Sequence, residues 1–138
     1  MSAGLEVRQT AGHLVPVREL DKILALAKTL HPALRQWVIS VAIVGDTQMR
    51  RLNRVYHGVD TTTDVLTFAL ADDGVVEIII CYDQARRQAK SAGWPIVREI
   101  QLLLAHGLLH GLGYRDQRPS DERVMRMAEA TIMRSRRK

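Results

Sequence analysis

Between Ile96 and Asp116 the chain carries one segment that settles its own local structure and loads one end of it with chemistry. Trp94-Pro95 opens a helix, because proline is tolerated in a first helical turn, and apolar residues dominate from Ile96 onward. His106 and His110 stand at i and i+4, so both imidazoles project from one face, one turn apart. Gly111 and Gly113 then supply the backbone freedom that stops a helix. A helix over 96–110, ending in two stacked histidines and a glycine hinge, is the fixed point of the fold.

That end has the makings of a metal site. Two ring nitrogens one turn apart can meet a single zinc ion at about 2.0–2.1 Å, and the Gly-Leu-Gly turn can swing Asp116 back as a third ligand. Three protein ligands leave a coordination position open, which is the catalytic form of a zinc site, whereas four would close it. The alternative is plain: two histidines at a helix C-terminus are also favoured there by the helix dipole. The i, i+4, i+10 spacing is that of the metzincin proteases. Their catalytic glutamate follows the first histidine, where this chain has Gly107, and that weakens a peptidase reading. With no carboxylate on this helix face to serve as general base, the metal itself is expected to activate the attacking water.

Around this helix the sequence reads as a small α+β domain over 1–138 with a mixed sheet of about four strands and about five helices. Strands are expected at 5–10, 37–44, 65–70 and 75–81, the last two joined as a hairpin through Asp72-Asp73-Gly74. Helices are expected at 17–30, from a cap at Asp46 or Thr47 through Tyr56, at 82–92, and from a cap at Ser120. Residues 57–63, with Gly58, Asp60 and three threonines, carry loop chemistry. Asn53, Tyr56, Thr63 and Asp64 read as structural residues that cap, hydrogen-bond and dock the loop, Asp60 as a turn former and Cys81 as buried packing. Arg86, Arg87 and Lys90 make a basic helix face, either solvated or an RNA rim.

Composition bounds the rest. The 138 residues are 46% hydrophobic and 25% charged, ordinary for a globular domain. No apolar run approaches the roughly 20 residues of a membrane span, no secretory leader is visible at the start, and one cysteine cannot form an internal disulfide. A cytoplasmic setting is the expectation. The net charge of +5 is concentrated at one end: Arg134, Arg136, Arg137 and Lys138 are four of the 20 basic residues, which leaves 16 against 15 acidic elsewhere. The basic tail at 134–138 is either a solvated end or a nucleic-acid arm. Aromatic residues (Trp37, Trp94, Tyr56, Tyr82, Tyr114, Phe68) are too few to make a base-stacking platform evident.

Two blocks resemble one family. His106-Gly-Leu-Leu-His110-Gly-Leu-Gly-Tyr-Arg-Asp116 is similar to the signature H-G-x-L-H-L-x-G-Y-D-H of the YbeY family, bacterial rRNA-maturation endoribonucleases. Residues 52–68, Leu-Asn-Arg-Val-Tyr-His-Gly-Val-Asp-Thr-Thr-Thr-Asp-Val-Leu-Thr-Phe, resemble that family's L-N-x-x-Y-R-x-x-D-x-x-T-D-V-L-S-F-P. The resemblance implies one zinc ion per chain held by His106, His110 and Asp116, and cleavage of single-stranded RNA. It further implies a role at the 16S rRNA 3′ end, in contact with the small ribosomal subunit or its assembly factors. His57 matches the family's phosphate-binding or catalytic arginine and is the candidate catalytic residue.

Three positions depart from the family pattern: Asp116 replaces a histidine, His57 an arginine and Ala69 a proline. A carboxylate in place of a neutral imidazole lowers the formal charge of the metal centre by one and should acidify a bound water less. Histidine gives up arginine's permanent charge and bidentate fork, and offers a proton donor or a further ligand instead. The same departures favour an alternative, an RNA-binding or ribosome-assembly factor whose metal is structural or vestigial.

Overall fold

The computed structural model describes residues 5–135. The β-branched runs form strands, β1 Leu5–Gln9, β2 Val38–Val44, β3 Val65–Leu70 and β4 Val75–Cys81, in one sheet of order β1-β2-β4-β3. β2 runs parallel to both β1 and β4, and β3 is antiparallel to β4, so the sheet is mixed as expected. Leu70 pairs with Val75 across a 3-10 turn at Ala71–Asp73, closed by Gly74 at φ +66°. Five α-helices complete the α+β architecture: α1 Val17–Leu30, α2 Asp46–His57, α3 Tyr82–Ala92, α4 Ile96–Gly111 and α5 Pro119–Ser135. Among the described residues no helix is long and apolar enough to cross a membrane.

Several boundaries differ from the sequence reading, each for a local reason. Trp37 closes a 3-10 helix at Pro32–Gln36 instead of opening β2, because its N–H bonds Leu34 O at 3.1 Å. His57 is the last residue of α2 and not part of the loop; Gly58, at φ +69°, makes the stop one residue later than expected. Neither Asp46 nor Thr47 caps α2. Gly45 holds the cap position, and the Asp46 N–H is taken by Asp83 Oδ2 at 2.9 Å, from a helix 37 residues away. α5 begins at Pro119, ahead of the expected Ser120 cap. Of the expected basic tail, Arg134 lies in the last turn of α5, and 136–138 lie outside the described residues.

Side-chain alternation splits the sheet into two unequal faces. Ile39, Val41 and Ile43 of β2 and Val76, Ile78 and Ile80 of β4 meet α1, α4 and α5 in the main core. Full burial of each such side chain contributes about 1.5–3 kcal/mol. On the other face Val44, Leu66 and Cys81 pack with Met49 of α2, and Phe68 and Leu52 flank them. α4 is the central pillar, in contact with β3, β4, α1, α3 and α5.

Two glycines bring that pillar close to the sheet. A Cβ on Gly107 would stand 2.8 Å from Ile78 Cγ2, and one on Gly111 would stand 3.0 Å from Val76 Cγ1. Position 107 is therefore glycine because it faces β4, and a glutamate there would collide with the sheet. The adjacent stripe, His106 and His110, is left facing the groove beside β3.

Candidate metal centre

The end of α4 is held by a tight C-terminal motif. Tyr114 N–H bonds Leu109 O at 3.0 Å and Gly113 N–H bonds His110 O at 2.9 Å, with Gly113 at φ +102°. Tyr114 packs against the main core and meets His31 edge-on at 5.8 Å. With Tyr114 anchored, the next two residues turn back, and the Asp116 carboxylate arrives over the histidine pair.

The result is a convergence of three ligand atoms. His106 Nε2 lies 3.6 Å from Asp116 Oδ2, and His110 Nε2 lies 3.3 Å from the same oxygen. The two imidazole centroids are 4.6 Å apart with planes at 76°. Donor atoms that share one tetrahedral zinc at 2.0–2.2 Å stand about 3.3–3.6 Å from each other. The donor set thus fits one small divalent cation, with His106, His110 and Asp116 each offering an atom within 4.8 Å of the others.

A fourth residue completes the arrangement, and sequence reading missed it. The Glu129 carboxylate of α5 hydrogen-bonds His106 Nδ1. Acting as acceptor, Glu129 fixes the proton on Nδ1 and turns Nε2 toward Asp116 as a bare donor, as a carboxylate behind a ligating histidine commonly does. Burial depresses the His106 pKa, but the Glu129 hydrogen bond and the charges of Glu129, Asp116 and Asp64 outweigh it, so the net shift is upward. Buried Met125 and Ile132, at i−4 and i+3, share the core-facing side of α5 with Glu129. An acid interrupting an apolar stripe was the available signal.

Two cavities meet at Asp64, His106 and Asp116. The first, of about 430 Å³, is lined by Glu99, Glu122 and Glu129 together with Asp64 and Asp116, and Glu99, on α4 itself, corrects the expectation that this helix face carries no carboxylate. Glu99 is buried and accepts hydrogen bonds from Trp94 Nε1 and Gln88 Nε2, each at 2.9 Å. It stands on α4 two turns before His106, a spacing that was legible. The second cavity, of about 360 Å³, runs between β3 and the end of α4 and is lined by His57, Thr63, Thr67 and both histidines of the triad. Thr67 Oγ1 is buried and without a hydrogen-bond partner, a polar atom beside this groove.

The structure places the remaining candidates as follows. His57 lines the groove but stands outside the three-residue donor group. Asn53 docks the loop through Nδ2 to Thr61 O at 2.9 Å, and Asp64 O accepts the Cys81 N–H at 2.8 Å. Asp60 is salt-bridged to Arg50 at 3.0 Å and Arg54 at 3.6 Å rather than free to ligate. Cys81 is buried, and burial raises its thiol pKa above the ordinary value, which suits packing and not nucleophilic attack. Arg87, expected on an open basic face, is spent on a two-pronged pair with Asp46 at 2.8 and 2.9 Å.

A mixed-sheet α+β domain with a His-His-Asp cluster at the end of its central helix defines a class of candidate metal-dependent hydrolases. Comparison with known proteins narrows it. The profile of Endoribonuclease YbeY matches residues 14–137. Endoribonuclease YbeY of Carboxydothermus hydrogenoformans is 37% identical over 113 residues, covering 79% of this chain and 79% of that protein. Endoribonuclease YbeY of Bacillus licheniformis is 32% identical over 149 residues, covering 96% and 94%. The solution structure of TM1509 from Thermotoga maritima shares the fold, with a TM-score of 0.67 at 21% identity over 96% of this chain and 88% of that one. The chain belongs to the Endoribonuclease YbeY family.

Proposed function

We propose that this protein is a zinc-dependent endoribonuclease that cuts single-stranded RNA during rRNA maturation, at the 16S 3′ end, in contact with the small ribosomal subunit or its assembly factors. The setting is the cytoplasm, where that RNA is matured. The observation that carries the reading is the convergence of His106 Nε2, His110 Nε2 and Asp116 Oδ2 at the mouth of a groove lined by His57.

His106, His110 and Asp116 hold the ion. When bound, zinc supplies Lewis acidity toward the scissile phosphate and the attacking water. Glu129 keeps the His106 proton on Nδ1, so that Nε2 stays free to ligate. His57 positions the phosphate in the groove and offers it a ring N–H. Asp116 makes the centre one charge less positive than three histidines would, so phosphate attraction leans more on the groove than in an all-histidine site.

Cleavage of a labelled single-stranded RNA with and without chelator is the test. Activity lost in EDTA, restored by added zinc and reduced at least about 100-fold in His110→Ala is expected, since ligand loss removes the catalytic ion. Cleavage that survives EDTA and is unchanged in His110→Ala would contradict the reading. RNA binding without cleavage, with zinc still bound, would move the protein to the assembly-factor role.

A further inference from the structure

The two cavities that meet at the triad differ in charge, and only one suits a polyanion. The cavity toward α5 is walled by the carboxylates of Glu99, Glu122 and Glu129 in addition to Asp64 and Asp116, and its Arg126 is already engaged with Glu122. A phosphodiester chain there would face like charge at close range. The groove along β3 has only Asp64 and Asp116 as acids, with His57, His106, His110, Thr63 and Thr67 for the rest of its polar lining. The groove along β3 is therefore the less acidic approach to the triad.

At the edge of that groove His57 joins two rings that lie outside it, on the α2 side of the sheet. His57 lines the groove and stacks on Phe68, with centroids 6.3 Å apart and planes within 17° of parallel. Phe68 in turn packs against Tyr56, centroids 5.0 Å apart at 56°. Phe68 is anchored against the second core beside Leu66 and Met49, and Tyr56 remains 60% exposed. A ring fixed from behind and open in front loses little freedom on binding a flat partner. Unpaired bases stack on such rings with little sequence preference, whereas bases inside a duplex already occupy one another's faces.

We propose that Tyr56, His57 and Phe68 form a stacking platform at the edge of the groove along β3, which seats an unpaired nucleobase of the RNA whose backbone enters that groove through His57. The proposal rests on the endoribonuclease reading and specifies how that site grips its substrate. Stacking selects single strands without reading sequence, and it replaces part of the hold that the family's arginine supplies at position 57. The count of aromatics makes no such platform evident in the sequence. What counts is that α2 ends where β3 carries Phe68.

The test uses the zinc-loaded full chain and two labelled oligonucleotides of equal length with phosphorothioate linkages to slow cleavage, one an oligoadenylate and one its abasic counterpart. Binding is read by fluorescence anisotropy. The wild type is expected to prefer the base-bearing strand by about ten-fold. Tyr56→Ser should bring the ratio near one by weakening that strand alone, with abasic affinity and thermal stability unchanged, and Tyr56→Trp should keep the preference. Phe68→Leu, which retains most of the core volume, should lower it in part. A preference undiminished in Tyr56→Ser would overturn the platform. Equal wild-type affinity for both strands would also overturn it and leave the endoribonuclease reading standing. Failure to bind either strand would remove that reading and the platform together.

Discussion

Asp116 and Glu129 act on the same imidazole from opposite sides, and their roles are separable. Asp116 Oδ2 faces the Nε2 atoms of both histidines, so Asp116→Ala should remove stoichiometric zinc while leaving the fold intact, measured by metal content after gel filtration. Glu129 touches only Nδ1. Its replacement by alanine should weaken zinc affinity by about 10–100-fold, the usual cost of losing a carboxylate behind a ligating histidine. Glu129→Gln, which keeps an acceptor for Nδ1–H, should cost less. Zinc titration against a chromophoric chelator separates the three variants. An equal loss in Gln and Ala would mean that the charge of Glu129 matters and its geometry does not. Of these residues, His106, His110 and Asp116 were legible because i, i+4 spacing and a glycine turn are local facts. Glu129 was hidden because only the packing of α5 on α4 brings it there.

Among the elements, α4 decides whether the site exists. Gly107→Ala would push its Cβ toward Ile78 Cγ2, at a notional 2.8 Å, and lift the helix from β4. Overpacking of this kind costs about 1–3 kcal/mol, readable as a lower urea midpoint. The double variant Gly107→Ala with Ile78→Val should recover part of the loss, because it removes Ile78 Cδ1, which the new Cβ would meet at 3.1 Å. The junction of α2 and α3 makes a pH-dependent contribution. The Arg87 hydrogen bond to Asp46 outweighs partial burial and holds that carboxyl below its ordinary value of 3.8. A depressed folded-state value means stability that is present above 3.8 and lost as pH falls through the folded value. Asp46→Asn should therefore lower stability near neutrality and flatten the acid limb of a urea midpoint against pH profile. The pair is half exposed, so the effect is modest. The hairpin and all five helices were legible from periodicity and glycine punctuation, whereas the α2 cap was not. Its acceptor, Asp83, lies 37 residues away, and no local pattern reports that.

For the whole molecule, what the sequence does not show is where charge is presented. Four charges of the net +5 sit at residues 134–138, and in the body of the domain Arg50, Arg54 and Arg87 are all paired with Asp60 or Asp46, while one side of the triad is strongly acidic. Net charge reports composition, while ion pairing and packing decide which faces present it. Zinc that binds only the folded chain should raise its melting temperature, by the equivalent of about 2.7 kcal/mol at a hundred-fold excess over Kd, and the rise should vanish in Asp116→Ala. The most direct measurement is anomalous diffraction at the zinc edge from crystals of the untagged protein. The account predicts a single peak enclosed by His106, His110 and Asp116, with Glu129 behind the first histidine. An empty cluster in excess zinc, or a carboxylate turned away into solvent, would contradict it.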